Sequence, residues 1–161
     1  MYNDKIARRN SAADKNTKKR LIVTGGSGLL GGELVRQSGE RREVLYTWLN
    51  HPVEIPGAKG TGLDILDKSR VLALFKDFNP HAVIHTAYSQ ENLPSIAEGT
   101  ANIAAASAAI GARCIHISTD AIFDGRRGGY RETDIPEPVH AYGRAKLEAE
   151  RRVARAGLSS F

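Results

Sequence analysis

Three glycines spaced by three, Gly25, Gly28 and Gly31, follow directly on a short apolar run, and no other feature limits the folding of this chain so sharply. The run before them, residues 20–24 (RLIVT), is continuous and β-branched, as in a strand buried on both faces. The stretch after them, residues 28–37, puts Leu30, Leu34 and Val35 on one helical face. Strand, glycine turn and helix in immediate succession imply a helix lying close against the strand it leaves. Glycine permits both the tight turn and the near contact of two backbones.

The same rhythm continues along the chain. Residues 43–48 (EVLYTW), 60–64, 82–85 (AVIH) and 113–117 (RCIHI) read as further strands. Helical spacing fills residues 68–78, 95–110 and 142–156, with Gly111 and Gly157 as C-terminal caps. Residues 120–141, rich in Gly, Pro, Arg and Asp, read as a long surface loop. This order predicts an α/β fold, a doubly wound parallel sheet of the Rossmann type, and 161 residues of which 41% are apolar suffice for one such domain over residues 20–161. Its ligand crevice is expected at the carboxyl ends of the strands, where the strand order reverses.

Charge narrows the partners. Residues 1–20 hold seven basic and two acidic side chains, so the whole formal charge of +5 falls there and the remainder is neutral. The stretch has no interleaved aromatics beyond Tyr2 and no nucleic-acid-binding motif, so residues 1–19 are read as a disordered basic tail with no nucleic-acid partner. No apolar run approaches the roughly 18 residues of a membrane span, and the N-terminus lacks a secretory signal; a cytoplasmic location off the membrane is expected. Cys114 is the single cysteine, which excludes an internal disulfide and a thiolate zinc cluster. His81 and His85 are four apart on a strand rather than a helix, so no metal pair is expected, and Cys114 and His116 read as packed core. The alanine-rich helix over residues 95–110 leaves room for a homodimer contact.

The glycine turn is the first candidate for chemistry. A helix N-terminus behind a glycine-rich turn offers free N–H groups and a positive dipole end to a dinucleotide pyrophosphate. Gly25, Ser27, Gly28, Leu29, Leu30 and Gly31 are the candidate binding residues, and the absence of a following Gly-Lys-Ser/Thr disfavours the phosphate loop of ATPases. Residues Thr47-Trp48-Leu49-Asn50-His51, at the end of the second strand, offer no carboxylate to a ribose 2′-hydroxyl, which tilts the reading toward NADP over NAD. Asp64 either accepts from an adenine amino group or caps the helix that follows. Tyr142 and Lys146 share a helical face at i and i+4, where the cation is expected to lower the phenol pKa. Ser118-Thr119-Asp120, after the fifth strand, supplies a hydroxyl to hold a substrate carbonyl while Tyr142 donates a proton.

With these stretches in view, the chain resembles the extended short-chain dehydrogenases/reductases, in their dTDP-4-dehydrorhamnose reductase or sugar-nucleotide-binding branch. The resemblance rests on residues 24–31, Asp64-Ile65, His85-Thr86-Ala87, residues 118–125 (STDAIFDG), residues 130–134 and residues 142–148 (YGRAKLE). It implies NAD(P)H-dependent reduction of a 4-keto sugar carried on a nucleotide, with a non-catalytic NAD(P)-binding regulatory module as the alternative. Thr119, Tyr142 and Lys146 would be the catalytic residues, Lys146 and Tyr142 also meeting the cofactor. Asp64, Ile65, Thr86, Ala87 and Tyr88 would join the glycine turn in binding it, Ala87 and Tyr88 along the nicotinamide ribose. Asn102 resembles the family's helical asparagine, or is an ordinary polar helix residue. Ala121 departs from an aromatic in the family pattern. Family members are longer, so the sheet is expected to break off at about the start of a sixth strand, without the C-terminal substrate region.

Overall fold

The computed structural model describes residues 18–89 and 91–157, so nearly all of the expected basic tail lies outside the described residues. Five strands, β1 (Lys19–Thr24), β2 (Arg42–Trp48), β3 (Lys59–Gly62), β4 (Ala82–His85) and β5 (Arg113–His116), form one parallel sheet in the order β3-β2-β1-β4-β5. Four helices, α1 (Leu29–Ser38), α2 (Lys68–Phe78), α3 (Leu93–Ala109) and α4 (Ala141–Arg155), complete the βα succession. The order reverses between β1 and β4, which makes that junction the switch point of a doubly wound, Rossmann-type sheet. Among the described residues no helix is long and apolar enough to cross a membrane.

Strand β1 shows why its sequence is apolar without a break. Leu21 and Val23 pack with Val44, Tyr46 and Val35 on the α1 face, while Ile22 packs with Val83, Phe75 and Ile103 on the α2/α3 face. Both faces are covered, as in parallel sheets generally. Phe75 is fully buried, and shielding a side chain of that size contributes about 2–3 kcal/mol. Helix α4 runs along α3 on the same side. Ala104 and Ala106 of α3 are buried within the chain itself.

Element ends differ from the expectation where side chains take over from pattern. Helix α3 starts two residues before residue 95 because Pro94 sits in its first turn, where its missing N–H costs nothing. Its end is as expected, with Gly111 beyond it at φ +69°. The loop over residues 120–141 opens with a 3-10 turn, Asp120–Ile122, capped by the Thr119 hydroxyl, which accepts from the Ala121 N–H at 3.2 Å. The loop is then braced internally. Phe123 and Tyr130 stack at 4.4 Å, the Tyr130 hydroxyl donates to Asp124 at 2.5 Å, and Arg127 pairs with Asp134 at 2.6 Å.

Gly143 sets how closely α4 meets that turn. A Cβ there would stand 2.1 Å from the carbonyl oxygen of Ala121, so only glycine lets the first turn of α4 press on the backbone beside Thr119. Gly143→Ala is expected to destabilise the fold by about 1–3 kcal/mol, because the overpacking outweighs the roughly 1 kcal/mol gained in helix propensity. Urea denaturation checks it; a variant as stable as the parent would show that the contact is slack.

Candidate functional site

A cleft of about 900 Å³ runs along the carboxyl edge of the sheet, a size within the usual range of small-molecule sites. It gathers the candidate cofactor-binding and catalytic residues, Asn102 apart. The β1–α1 turn brings Gly25, Ser27, Gly28, Leu29, Leu30 and Gly31; the turn after β3 brings Asp64 and Ile65. The turn after β4 brings Thr86, Ala87 and Tyr88, and Thr119, Tyr142 and Lys146 form the far wall.

The glycine turn has the form its sequence suggested. Gly25 adopts φ +75°, and a Cβ on Gly31 would fall 2.2 Å from the Gly25 carbonyl oxygen. The N-cap of α1 is Gly28, which offers no side chain to the helix N–H groups, and the first turn carries no acid. Helix α1 therefore opens onto the cleft with donors unclaimed by a cap, a cradle suited to a pyrophosphate. At the adjacent end Trp48, Asn50 and His51 line the cleft with no carboxylate between residues 47 and 51.

Asp64 lines the cleft, and its carboxylate accepts the Leu66 N–H at 2.9 Å. It does not cap α2. Asp67 does, accepting from Arg70 N–H at 3.0 Å. Asn102 is not among the lining residues; its amide donates to the carbonyls of Ile65 and Leu66 at 3.0 and 3.3 Å, tying α3 to the turn after β3.

The floor under the far wall is polar. Register places Thr24 beside His85 and His85 beside His116, three adjacent strands ending level. His85 Nδ1 meets the Thr24 hydroxyl at 2.6 Å and its Nε2 meets the Thr100 hydroxyl at 3.0 Å, while the two imidazoles lie 5.5 Å apart. His85 is pushed down to about 3, first by burial and then by the charges of His116 and Lys146. Burial, with help from Lys146, pushes His116 down to about 4. Both rings are neutral at pH 7.

Lys146 is buried at 3% exposure, which lowers its pKa, with Glu150 opposing the shift. Its ammonium donates to the Ile117 carbonyl, approaches His116 Nε2 at 3.4 Å and lies 5.4 Å from the centroid of the Tyr88 ring. Tyr142 departs from the expectation. Its pKa is raised rather than lowered, chiefly by burial and then by hydrogen bonding to Tyr88, with the Thr119 hydroxyl bond pulling the other way. The phenol rings of Tyr88 and Tyr142 stand 5.9 Å apart. The i, i+4 cation is present but its protons are engaged at the end of β5. His116 is likewise no mere core residue: it lines the cleft and touches Lys146. Its alternation with Cys114 along β5 was visible in the sequence; its height, level with the Lys146 turn of α4, was not.

The model of the RmlD substrate binding domain matches residues 19–160. The chain belongs to that family. Among curated relatives, methionine adenosyltransferase 2 subunit beta of Xenopus laevis is 34% identical over 145 residues, 84% of this chain and 42% of that protein. A dTDP-4-dehydrorhamnose reductase of Aggregatibacter actinomycetemcomitans is 32% identical over 143 residues, 82% of this chain and 46% of that protein. Among solved structures, dTDP-4-dehydrorhamnose reductase of Bacillus anthracis in complex with NADP superposes with a TM-score of 0.75 at 29% identity, covering 90% of this chain and 52% of that one. The chain thus spans about half the length of these RmlD-family relatives.

Buried His85 and half-buried His116 make a defined contribution to the acid response. In the unfolded chain each titrates near about 6.5, so below that pH the unfolded state takes up protons that the folded state refuses. Their share of stability is complete above the unfolded value and is lost as pH falls toward 4 for His116 and 3 for His85. Near pH 5 each is expected to remove up to about 1.4 kcal/mol per pH unit. Urea midpoints measured between pH 7 and pH 5 check this; a flat profile would mean that the histidines take up protons in place.

Proposed function

We propose that the chain is the dinucleotide-binding and catalytic portion of an NAD(P)H-dependent reductase acting on a nucleotide-linked 4-keto sugar. The observation that carries this reading is the meeting of the Thr119 hydroxyl, the Tyr142 phenol and the Lys146 ammonium on one wall of a cleft whose other end is an open helix N-terminus. The relatives named as dTDP-4-dehydrorhamnose reductases support the reaction class, and the NADP complex of one of them supports the cofactor class. The want of a carboxylate at the end of β2 supports NADP over NAD, since nothing there repels a 2′-phosphate.

Each residue then has a distinct duty. The N–H groups of Leu29, Leu30 and Gly31 hold the pyrophosphate, with Ser27 beside them and Asp64 and Ile65 at the adenine end. Thr86, Ala87 and Tyr88 flank the nicotinamide ribose, whose hydroxyls Lys146 binds. A nicotinamide held there would be the source of the hydride that reduces the carbonyl carbon. Tyr142, a phenol that carries its proton at pH 7, delivers it to the carbonyl oxygen while the Thr119 hydroxyl holds that oxygen in place.

A second reading, a dinucleotide-binding regulatory module without turnover, is favoured by two observations. Ala121 stands where the family pattern has an aromatic ring, and several of the relatives are subunits of methionine adenosyltransferase 2.

Trp48 lines the adenosine end of the cleft, so its fluorescence reports occupancy. Titration with NADPH is expected to quench it saturably and at lower concentration than NADH; no response to either would sink both readings. Tyr142→Phe is expected to cut turnover of a nucleotide-linked keto sugar by about 10²–10⁴-fold while leaving the quenching titration within about twofold. Saturable NADPH binding with no turnover in the parent chain would select the second reading.

A further inference from the structure

His116 carries a hydrogen-bonding problem that the proposed chemistry leaves unused. Its Nδ1 is buried and has no hydrogen-bond partner among the described residues, while its Nε2 faces the Lys146 ammonium at 3.4 Å. An ammonium has three donors and no acceptor, so Nε2 must be the accepting nitrogen. The ring proton then sits on Nδ1, the nitrogen with nothing to bond. A neutral imidazole prefers to place its proton where it can be shared. Here the charged bond at Nε2 outweighs the unpaired N–H at Nδ1, as bonds to ionised groups are the stronger class.

The geometry around the ammonium gives this arrangement a purpose. One Lys146 donor goes to the Ile117 carbonyl and a second to His116 Nε2, both at the end of β5, while the Tyr88 ring lies 5.4 Å from Nζ. Two of three N–H bonds are thereby fixed. His116 faces His85 from β4 and Lys146 from α4. Around the ammonium stand the Tyr88 ring, from the turn after β4, and the charge of Glu150, which itself accepts from the Ser118 hydroxyl.

We propose that His116 is the positioning residue of Lys146: it is held as the Nδ1–H tautomer and accepts one ammonium proton at Nε2, so that the third N–H of Lys146 is left for a ribose hydroxyl in the cleft. This rests on the reading above, in which Lys146 binds that ribose. His116 is assigned no reacting atom; it acts through Lys146.

The test uses the full chain labelled with ¹⁵N at histidine and ¹³C at lysine. At pH 7, long-range proton–nitrogen correlations are expected to show His116 in the Nδ1–H form; the Nε2–H form overturns the proposal. Titration of the Lys146 ε-carbon in His116→Leu is expected to show its proton affinity reduced by about tenfold, because an acceptor that favours the charged form is gone. His116→Gln, whose amide oxygen reaches the place of Nε2, is expected to restore it. An unchanged titration in His116→Leu, or a glutamine variant as altered as the leucine one, overturns the proposal. Should His116→Leu not fold, the tautomer in the parent chain decides alone. No readout needs bound dinucleotide or turnover, so a chain that binds no NADPH would refute the proposed function and leave this measurement standing.

Discussion

Backbone meets backbone where α1 leaves β1, and the remaining architecture is arranged around that contact. A Cβ on Gly31 would lie 2.2 Å from the Gly25 carbonyl oxygen and 2.9 Å from the Thr86 hydroxyl, so helix, turn and the end of β4 share a space that admits no side chain. The Thr86 hydroxyl closes it by donating to the Thr24 carbonyl at 2.6 Å. Three elements are locked at the switch point of the sheet, and the open end of α1 is aimed along the carboxyl edge. The cleft begins there because the sequence permits nothing bulkier there.

A second constraint follows from parallel register. Because β1, β4 and β5 end level, Thr24, His85 and His116 stand in a row beneath the far wall, on the face covered by α3 and α4. Burying three polar side chains is costly unless they satisfy one another. Thr24 and Thr100 satisfy His85 from both sides; His116 is satisfied on one side only, by Lys146. Gly143 completes the geometry by letting α4 descend onto the turn that carries Thr119. A backbone contact at each end of the cleft therefore fixes the distance between the glycine turn and the hydroxyl groups.

The strands of the parallel sheet and the residues at their carboxyl ends were legible in the sequence because they depend on local pattern. RLIVT reads as a strand covered on both sides, and Gly25, Gly28 and Gly31 read as a turn onto a helix, with no knowledge of anything distant. The start of α3 lies outside the alanine-rich pattern that marks the rest of the helix, because its first turn holds Pro94, which is tolerated there. Asp64 read as a possible cap only because the pattern does not show where β3 stops; the strand ends at Gly62 and Asp67 caps α2. Gly143 and His116 were out of reach for a different reason. Their roles arise from partners at Ala121 and Lys146, across a loop whose course is set by Tyr130, Asp124 and Arg127 rather than by any periodicity.

The phenol of Tyr142 shows how such a partner reverses an argument. On an isolated helix, Lys146 at i+4 would stabilise a phenolate. In the fold, β5 intercepts the ammonium: the Ile117 carbonyl and His116 take its protons, and Tyr142 is left with burial, Tyr88 and the nearby charge of Asp120, all of which favour the protonated phenol. For the proposed reaction the proton is in place at pH 7 with or without that shift, and the shift makes the phenol a weaker acid, opposed only by the Thr119 hydroxyl bond. A carbonyl that receives a hydride on carbon needs a proton on oxygen, and a group that already holds one can give it in the same event. Lys146 is tied to the strand rather than to the phenol. The division of labour between the two residues is thus set by the strand behind them more than by their spacing on the helix.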